Sequence, residues 1–149
     1  MTPGSPREGE RIRLALDEAG WRFTPGRSGA AGGESVILPH CWNAADEYRS
    51  GVDVRRGLAA YQLDFDLPGP GAASEWRLRS GGFYGVGEAW LNGQSIGHFN
   101  GDYLGLDLDV TAALRPKENR LVVKVSNRYF PHVLPGLRDP DFHLYGGLG

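Results

Sequence analysis

The run VGEAWLNGQSIGHFNGDYLGLDLDVT, residues 86–111, decides the fold. At its centre Asn92-Gly93 stands between two apolar runs, and such a pair is the strongest short-range mark of a tight hairpin, because both central residues of a type I′ turn need positive φ. A two-residue turn sets Leu91 opposite Gln94. Continued as a regular ladder, that register puts Ala89, Leu91 and Ile96 on one face and Val86, Trp90 and Phe99 on the other. Both faces are then partly apolar, which suits the central hairpin of a packed sandwich better than a ribbon in water. Farther on, Leu106, Leu108 and Val110 alternate with Asp107 and Asp109, the period of two of a strand with one wet face.

The same alternation recurs on both sides of this run. Tyr61, Leu63, Phe65 and Leu67 alternate with Gln62, Asp64 and Asp66 and stop at Pro68-Gly69-Pro70; Trp76 and Leu78 alternate with Arg77 and Arg79. Leu121, Val123 and Val125 mark a further strand, and Thr111-Ala112-Ala113-Leu114 reads as one helical turn capped by Thr111. Ile12, Leu14 and Leu16 give a short strand pattern near the start, although over so few residues a helical turn fits as well. A Gly-rich loop fills Gly26 to Gly33, and Val36 to Leu38 is a β-prone run ended by Pro39. Residues 40 to 58 read as a long irregular loop, and loops of that length in small domains are usually functional or interface elements, though some are merely mobile. From Asn127 the alternation is lost again. Strands at short intervals without a long helical period predict an all-β fold, an antiparallel sandwich or barrel.

Composition bounds the rest. A chain of 149 residues suffices for one domain with a hydrophobic core. Its 23 glycines and 10 prolines punctuate apolar runs without any repeat, which fits a turn-rich β protein and excludes collagen. A net charge of −2 and a pI near 6.1 supply no basic field for nucleic acid. No apolar run is long enough to span a membrane as a helix, and residues 1–10 carry no apolar core of a secretory signal, which favours the cytoplasm. Cys41, alone, forms no internal disulfide.

Several segments, taken together and in order, resemble the N-terminal sugar-binding domain of glycoside hydrolase family 2, the β-galactosidase, β-glucuronidase and β-mannosidase type. They are Gly20-Trp21-Arg22-Phe23, Leu38-Pro39-His40-Cys41-Trp42-Asn43, Arg56-Gly57 before Tyr61, Ala89-Trp90-Leu91-Asn92-Gly93, Gly97-His98, Asp109-Val110-Thr111, Glu118-Asn119-Arg120-Leu121, and Asp141-Phe142-His143-Leu144-Tyr145-Gly146-Gly147-Leu148. The resemblance implies a jelly-roll β-sandwich of the galactose-binding-domain-like kind over residues 11–149, preceded by a flexible segment at 1–10. Cys41 departs from the pattern where Asp or another polar residue is common, and Gln62 where a basic residue often follows the tyrosine. The resemblance also implies an immunoglobulin-like domain and a catalytic barrel after this one, so that the chain by itself is a non-catalytic, inactive part of a glycosidase. Its partners would be a β-linked carbohydrate and that barrel, with no cofactor.

Glycoside hydrolysis needs two carboxyl groups flanking the bond, about 5–5.5 Å apart in retaining enzymes. Asp64 with Asp66, and Asp107 with Asp109, have a compatible spacing, but both pairs occupy the wet positions of amphipathic strands and read as solvent-facing. Asp141 lies in an irregular aromatic segment with Asp139, Phe142, His143 and Tyr145. On its residues alone it reads as a loop carboxylate tying down backbone amides. The resemblance implies instead that Asp141 accepts hydrogen bonds from sugar hydroxyls, with neighbouring aromatics covering the sugar's apolar face and Asp139 a second candidate. His40 and Trp42 read as packing anchors, and Trp21, Trp76 and Trp90 as core. The four histidines, His40, His98, His132 and His143, lack metal-ligand spacing, and Asn100-Gly101-Asp102 reads as a turn rather than a calcium loop. Alternatives to an enzyme part are a stand-alone carbohydrate-binding module and an interaction sandwich without a ligand.

Overall fold

The computed structural model describes residues 12–26, 33–51, 53–68, 75–100, 105–128 and 146–149. The N-terminal segment at 1–10, most of the Gly26 to Gly33 loop, Gly101-Asp102 of the turn expected after Asn100 and the 129–145 run with Asp139 and Asp141 lie outside the described residues.

Eleven strands form among the described residues, and all their pairings are antiparallel. They are β1 (Trp21–Pro25), β2 (Glu34–Val36), β3 (His40–Cys41), β4 (Leu58–Phe65), β5 (Arg77–Ser80) and β6 (Phe83–Tyr84), then β7 (Val86–Leu91), β8 (Gln94–Asn100), β9 (Leu106–Asp109), β10 (Asn119–Ser126) and β11 (Gly147–Leu148). One sheet has six strands in the order β2-β1-β4-β10-β7-β8; opposite it lie β3-β11-β6 and the ribbon β5-β9. The protein is thus an all-β, antiparallel jelly-roll sandwich.

The core follows from cross-strand rows on the inner face of the large sheet. Phe23, Tyr61, Val123 and Ala89 form one row, and Leu63, Leu121 and Leu91 another. All of these are buried, and Phe83 and Leu148 from the facing layer close over them. Burying such side chains stabilises the fold by about 1.5–3 kcal/mol each. The layers meet where Phe83 stacks on Phe99, ring centres 3.8 Å apart. Ile12, Leu14 and Leu16 alternate in burial as expected, but they form no ladder; Leu16 packs on the core and its carbonyl accepts the Trp21 indole N–H at 2.7 Å.

The central hairpin forms with Asn92 at φ 53° and Gly93 at φ 84°, the left-handed pair that the turn demands. Its ladder is not regular. Trp90 pairs with Ser95 and Ala89 with Gly97, so Ile96 is one residue too many on β8, a β-bulge. Beyond it every facing is inverted relative to the regular register. Phe99 therefore sits opposite Gly87 on the buried face, and not beside Val86 and Trp90 as the uninterrupted count predicts. A Cβ on Gly87 would strike the Phe99 ring and the Lys124 carbonyl. Trp90 is likewise not core: it lies on the outer face, its indole N–H donating to Glu88 Oε2 at 3.0 Å and Lys124 Nζ standing 5.6 Å from the ring centre.

Two further expectations change. The 40 to 58 stretch holds β3 and a single 3-10 turn, Asp46–Tyr48, because Leu148 and Gly147 offer His40 and Cys41 a strand to pair with. At Thr111–Leu114 there is one turn, closed on the Val110 carbonyl at 3.0 Å, but the capping oxygen belongs to Asp109, which accepts Thr111 N–H at 3.0 Å and its hydroxyl at 2.7 Å. Asp64, Asp66, Asp107 and Asp109 are exposed, as the alternation predicts.

Candidate functional site

The end of the sandwich at which β4 begins and β10 finishes carries a buried polar cluster. Asn43, Asp46 and Asn127 are each 0–1% exposed, in a region otherwise filled by Trp42, Phe23 and Tyr61. Polar groups that far from water have to be bonded, and these are. The Asn43 side-chain carbonyl accepts Gly146 N–H at 2.8 Å and the Cys41 thiol at 3.3 Å, while its amide donates to the Arg55 carbonyl at 3.2 Å. Asn127 donates to that same carbonyl at 3.1 Å and accepts Gly57 N–H at 2.8 Å; its backbone N–H reaches the Gly57 carbonyl at 3.1 Å.

Asp46 anchors the other side of the same loop. Its carboxylate accepts Arg55 N–H at 2.9 Å and the Arg55 guanidinium Nε at 2.9 Å, and the guanidinium also donates to the Trp42 carbonyl. Arg55's side chain is 61% exposed, so the pair joins a buried carboxylate to a largely solvated cation. These bonds from Arg55 hold the Asp46 carboxyl below the usual carboxylate range against the opposing cost of burial. The pairing raises Arg55 in turn.

The cluster therefore grips the chain on either side of 129–145. Asn127 is fixed two residues before that run, and Gly146, immediately after it, is held by Asn43 and by a backbone pair with Trp42, whose N–H donates to the Gly146 carbonyl at 3.0 Å. Gly146 has no alternative: the Trp42 ring fills the space a Cβ would take. Trp42 is thus the packing anchor its sequence context predicts, stacked on Phe23 at 5.8 Å. His40 is another. Its ring lies 4.8 Å from Phe23 and its Nδ1 is 2.8 Å from the Tyr61 hydroxyl, which also donates to the His40 carbonyl at 3.3 Å. Both contacts hold together only when Nδ1 carries the ring proton. Burial lowers the His40 pKa, partly countered by Glu34, and burial raises Tyr61, so both are neutral at pH 7.

None of the strand carboxylates joins this cluster. Asp64 is paired with Arg120 at 2.7 Å, Asp66 accepts Glu118 N–H at 2.7 Å, and Asp107 pairs with Arg77 and Arg79, all at other edges. An open concavity of about 850 Å³ at the opposite end of the sandwich is lined by Asp64, Asp66 and Arg120, groups these contacts already engage. Asp139 and Asp141, the sugar-binding candidates, fall outside the described residues. The sequence reading missed Asn43, Asp46, Arg55 and Asn127. Asn43 stood in one of the family-like motifs, Asp46 and Arg55 only in an unusually long loop and Asn127 where the alternation ends, and none showed its role because the partners lie up to 103 positions away.

Residues 37–148 match the family described as glycosyl hydrolases family 2, sugar binding domain. A Formosa agariphila protein provisionally named beta-glucuronidase is 31% identical over 137 residues, 92% of this chain and 15% of that protein. The beta-glucuronidase of Bacteroides fragilis is 26% identical over 86% of this chain and 18% of its own length. Among solved structures, an FMN-binding beta-glucuronidase of Faecalibacterium prausnitzii L2-6 superposes with a TM-score of 0.78 at 28% identity, over 91% of this chain and 20% of that one. The chain thus spans less than one fifth of the length of these two curated relatives.

Proposed function

Because the chain belongs to the sugar-binding domains of glycosyl hydrolase family 2, we propose that it serves a larger glycosidase by presenting Asp141, with Asp139 beside it, to the sugar hydroxyls of a subsite whose bond-breaking carboxylates lie in a separate barrel. The domain itself is non-catalytic in this reading: it orients the sugar and supplies wall area, and the barrel performs retaining hydrolysis of a β-linked glycoside. Glucuronides are the first substrates to try, because relatives of this chain carry the name beta-glucuronidase.

The observation that supports this is the buried cluster at Asn43, Asp46, Arg55 and Asn127, which fixes the chain before and after the segment that holds both aspartates. A carboxylate can select sugar hydroxyls only if the backbone bearing it starts and ends in fixed places. Asp141→Ala in the full-length enzyme tests the assignment. A lost charge-assisted hydrogen bond of about 1.5–3 kcal/mol corresponds to a fall in kcat/KM of roughly 10- to 100-fold, with unchanged thermal unfolding, and Asp139→Ala is expected to cost less. Unaltered kinetics in Asp141→Ala would remove the residue from the site. Calorimetry of the 149-residue chain against millimolar glucuronate, galactose and mannose is expected to show no saturable heat; clear saturation would make the chain an autonomous carbohydrate-binding module instead.

A further inference from the structure

Asn92-Gly93 builds the central turn, and the same dipeptide carries a chemical liability. In an open chain the backbone nitrogen after an asparagine, once its proton has gone to base, attacks the side-chain carbonyl carbon. A following glycine, lacking Cβ, hinders that approach least. A C–N bond closes a cyclic imide, the Cγ–Nδ2 bond breaks, and ammonia leaves; water then opens the imide at either carbonyl to give aspartate or isoaspartate. We propose that Asn92 is a latent deamidation site, kept unreactive by the polar network around it, and that local opening of this end of the sandwich sets the rate of its modification.

The restraint can be counted in bonds. Asn92 Nδ2 donates to the Ala113 carbonyl at 2.8 Å and to Asn119 Oδ1 at 3.0 Å, and Asn92 Oδ1 accepts Arg120 N–H at 2.9 Å. Asn119 is itself 1% exposed and held by both backbone groups of Arg115, at 2.7 and 2.8 Å. Closing the imide expels Nδ2 and so breaks both bonds it donates, and together with the Arg120 N–H bond these contacts hold Cγ where the native turn places it. The backbone is pinned as well, Asn92 N–H donating to the Arg120 carbonyl at 2.9 Å.

The product cannot return to this arrangement. An aspartate at 92 has no N–H for Ala113 or Asn119, so oxygens would face oxygens at both contacts. Its new charge would stand in a concavity lined by Asp64, Asp66 and Glu118 as well as by Arg115 and Arg120, of which Arg120 is already paired with Asp64. Isoaspartate lengthens the backbone of a turn that has only two residues. Each reacted molecule is therefore left with a weakened hairpin, whatever the domain's partner or substrate.

Peptide mass spectrometry after incubation at mildly alkaline pH tests the proposal, comparing the native chain with the same chain in guanidinium chloride. Conversion at Asn92 is expected to be at least about tenfold slower in the native chain, the factor that a local opening free energy of about 1.4 kcal/mol imposes. Equal rates overturn the proposal. Asn119→Ala, or Asn119→Ser where the alanine variant fails to fold, is expected to speed the native-state reaction several-fold without changing the denatured rate. Asn127→Ala provides the comparison for lost stability at the far end. If it accelerates Asn92 conversion as much as the Asn119 variant does at equal global stability, opening is not local and the proposal falls.

Discussion

Strand β10 has an asparagine at each extremity, Asn119 at its start and Asn127 just past its end, both almost wholly buried and both bonded through side-chain oxygen and nitrogen. The partners differ in kind. Asn119 bonds to Arg115, 4 residues away, and to Asn92, 27 away. Asn127 bonds to Gly57 and Arg55, 70 and 72 residues away, next to an Asn43 that reaches across 103 residues to Gly146. One end closes on its own neighbourhood. The other exists only after strands remote in sequence have met, and it is the end that holds both flanks of the segment we place at the sugar. The same residue type thus fixes a tight turn at one end and fastens long connections at the other, where loop-closure entropy must first be overcome.

The largest effect expected from breaking this comparison is that of Asn127→Ala. It leaves Gly57 N–H and one bond to the Arg55 carbonyl unmade in a buried place, a loss of about 2–4 kcal/mol measurable as a shift in denaturant midpoint. Because its contacts are long-range, the loss is expected mainly as faster unfolding, whereas Asn119→Ala slows folding; stopped-flow chevrons with the reverse pattern would show that the two ends form in the opposite order. Asp46→Asn comes next, at about 1–3 kcal/mol at neutral pH. Asp46's folded pKa is depressed, so its contribution is complete above the ordinary carboxylate value and is lost as pH falls through the folded value. Wild type and Asp46→Asn are therefore expected to converge in acid, and a stability difference that stays constant down to the lowest pH would assign the bond's value to something other than charge. The smallest effect belongs to His40. Its pKa is lowered by burial, so the unfolded chain binds the proton more readily and stability declines as pH drops below the ordinary histidine value. His40→Gln is expected to flatten that decline in a series of melting temperatures from pH 7.5 to 5.5, and an unchanged slope would place the titration elsewhere.

How much of this was legible in the sequence depends on the range of the interaction. Tyr61, Leu63, Leu121 and Val123 announce their faces by period alone, and Asn92-Gly93 announces its turn, because those signals are complete within a few residues. The facing of Phe99 was not legible, since a single unpaired residue, Ile96, inverts the count and no local composition marks a bulge. Trp90 was misassigned to the core although the alternation had set it opposite Ala89 and Leu91: size and apolarity alone suggested burial, but the buried face is that of Ala89 and Leu91, and Trp90 meets Lys124 and Glu88 on the outer one. At the candidate site the ordered motifs pointed to the family and to Asp141, and one of them included Asn43, yet the part these residues play in holding the flanks was not legible. Asn43 and Asp46 look like ordinary loop residues until Gly146 and Arg55 are brought beside them.

The bulge has another consequence. Among the described residues, strand β8 is an outer strand of the six-stranded sheet, and β2, at the opposite margin, is only three residues long. Such margins expose unpaired backbone groups on which a foreign strand can grow, and they are where β-rich proteins begin to clump. Removing Ile96 would leave every remaining pair of the hairpin as it is, Gly97 against Ala89 and Phe99 against Gly87, and would make β8 straight. The additional residue bends and twists that margin instead, so the ladder it offers to a neighbouring molecule is broken near its middle. The hairpin that organises the core thus also carries the kind of irregularity by which sheet margins discourage strand addition.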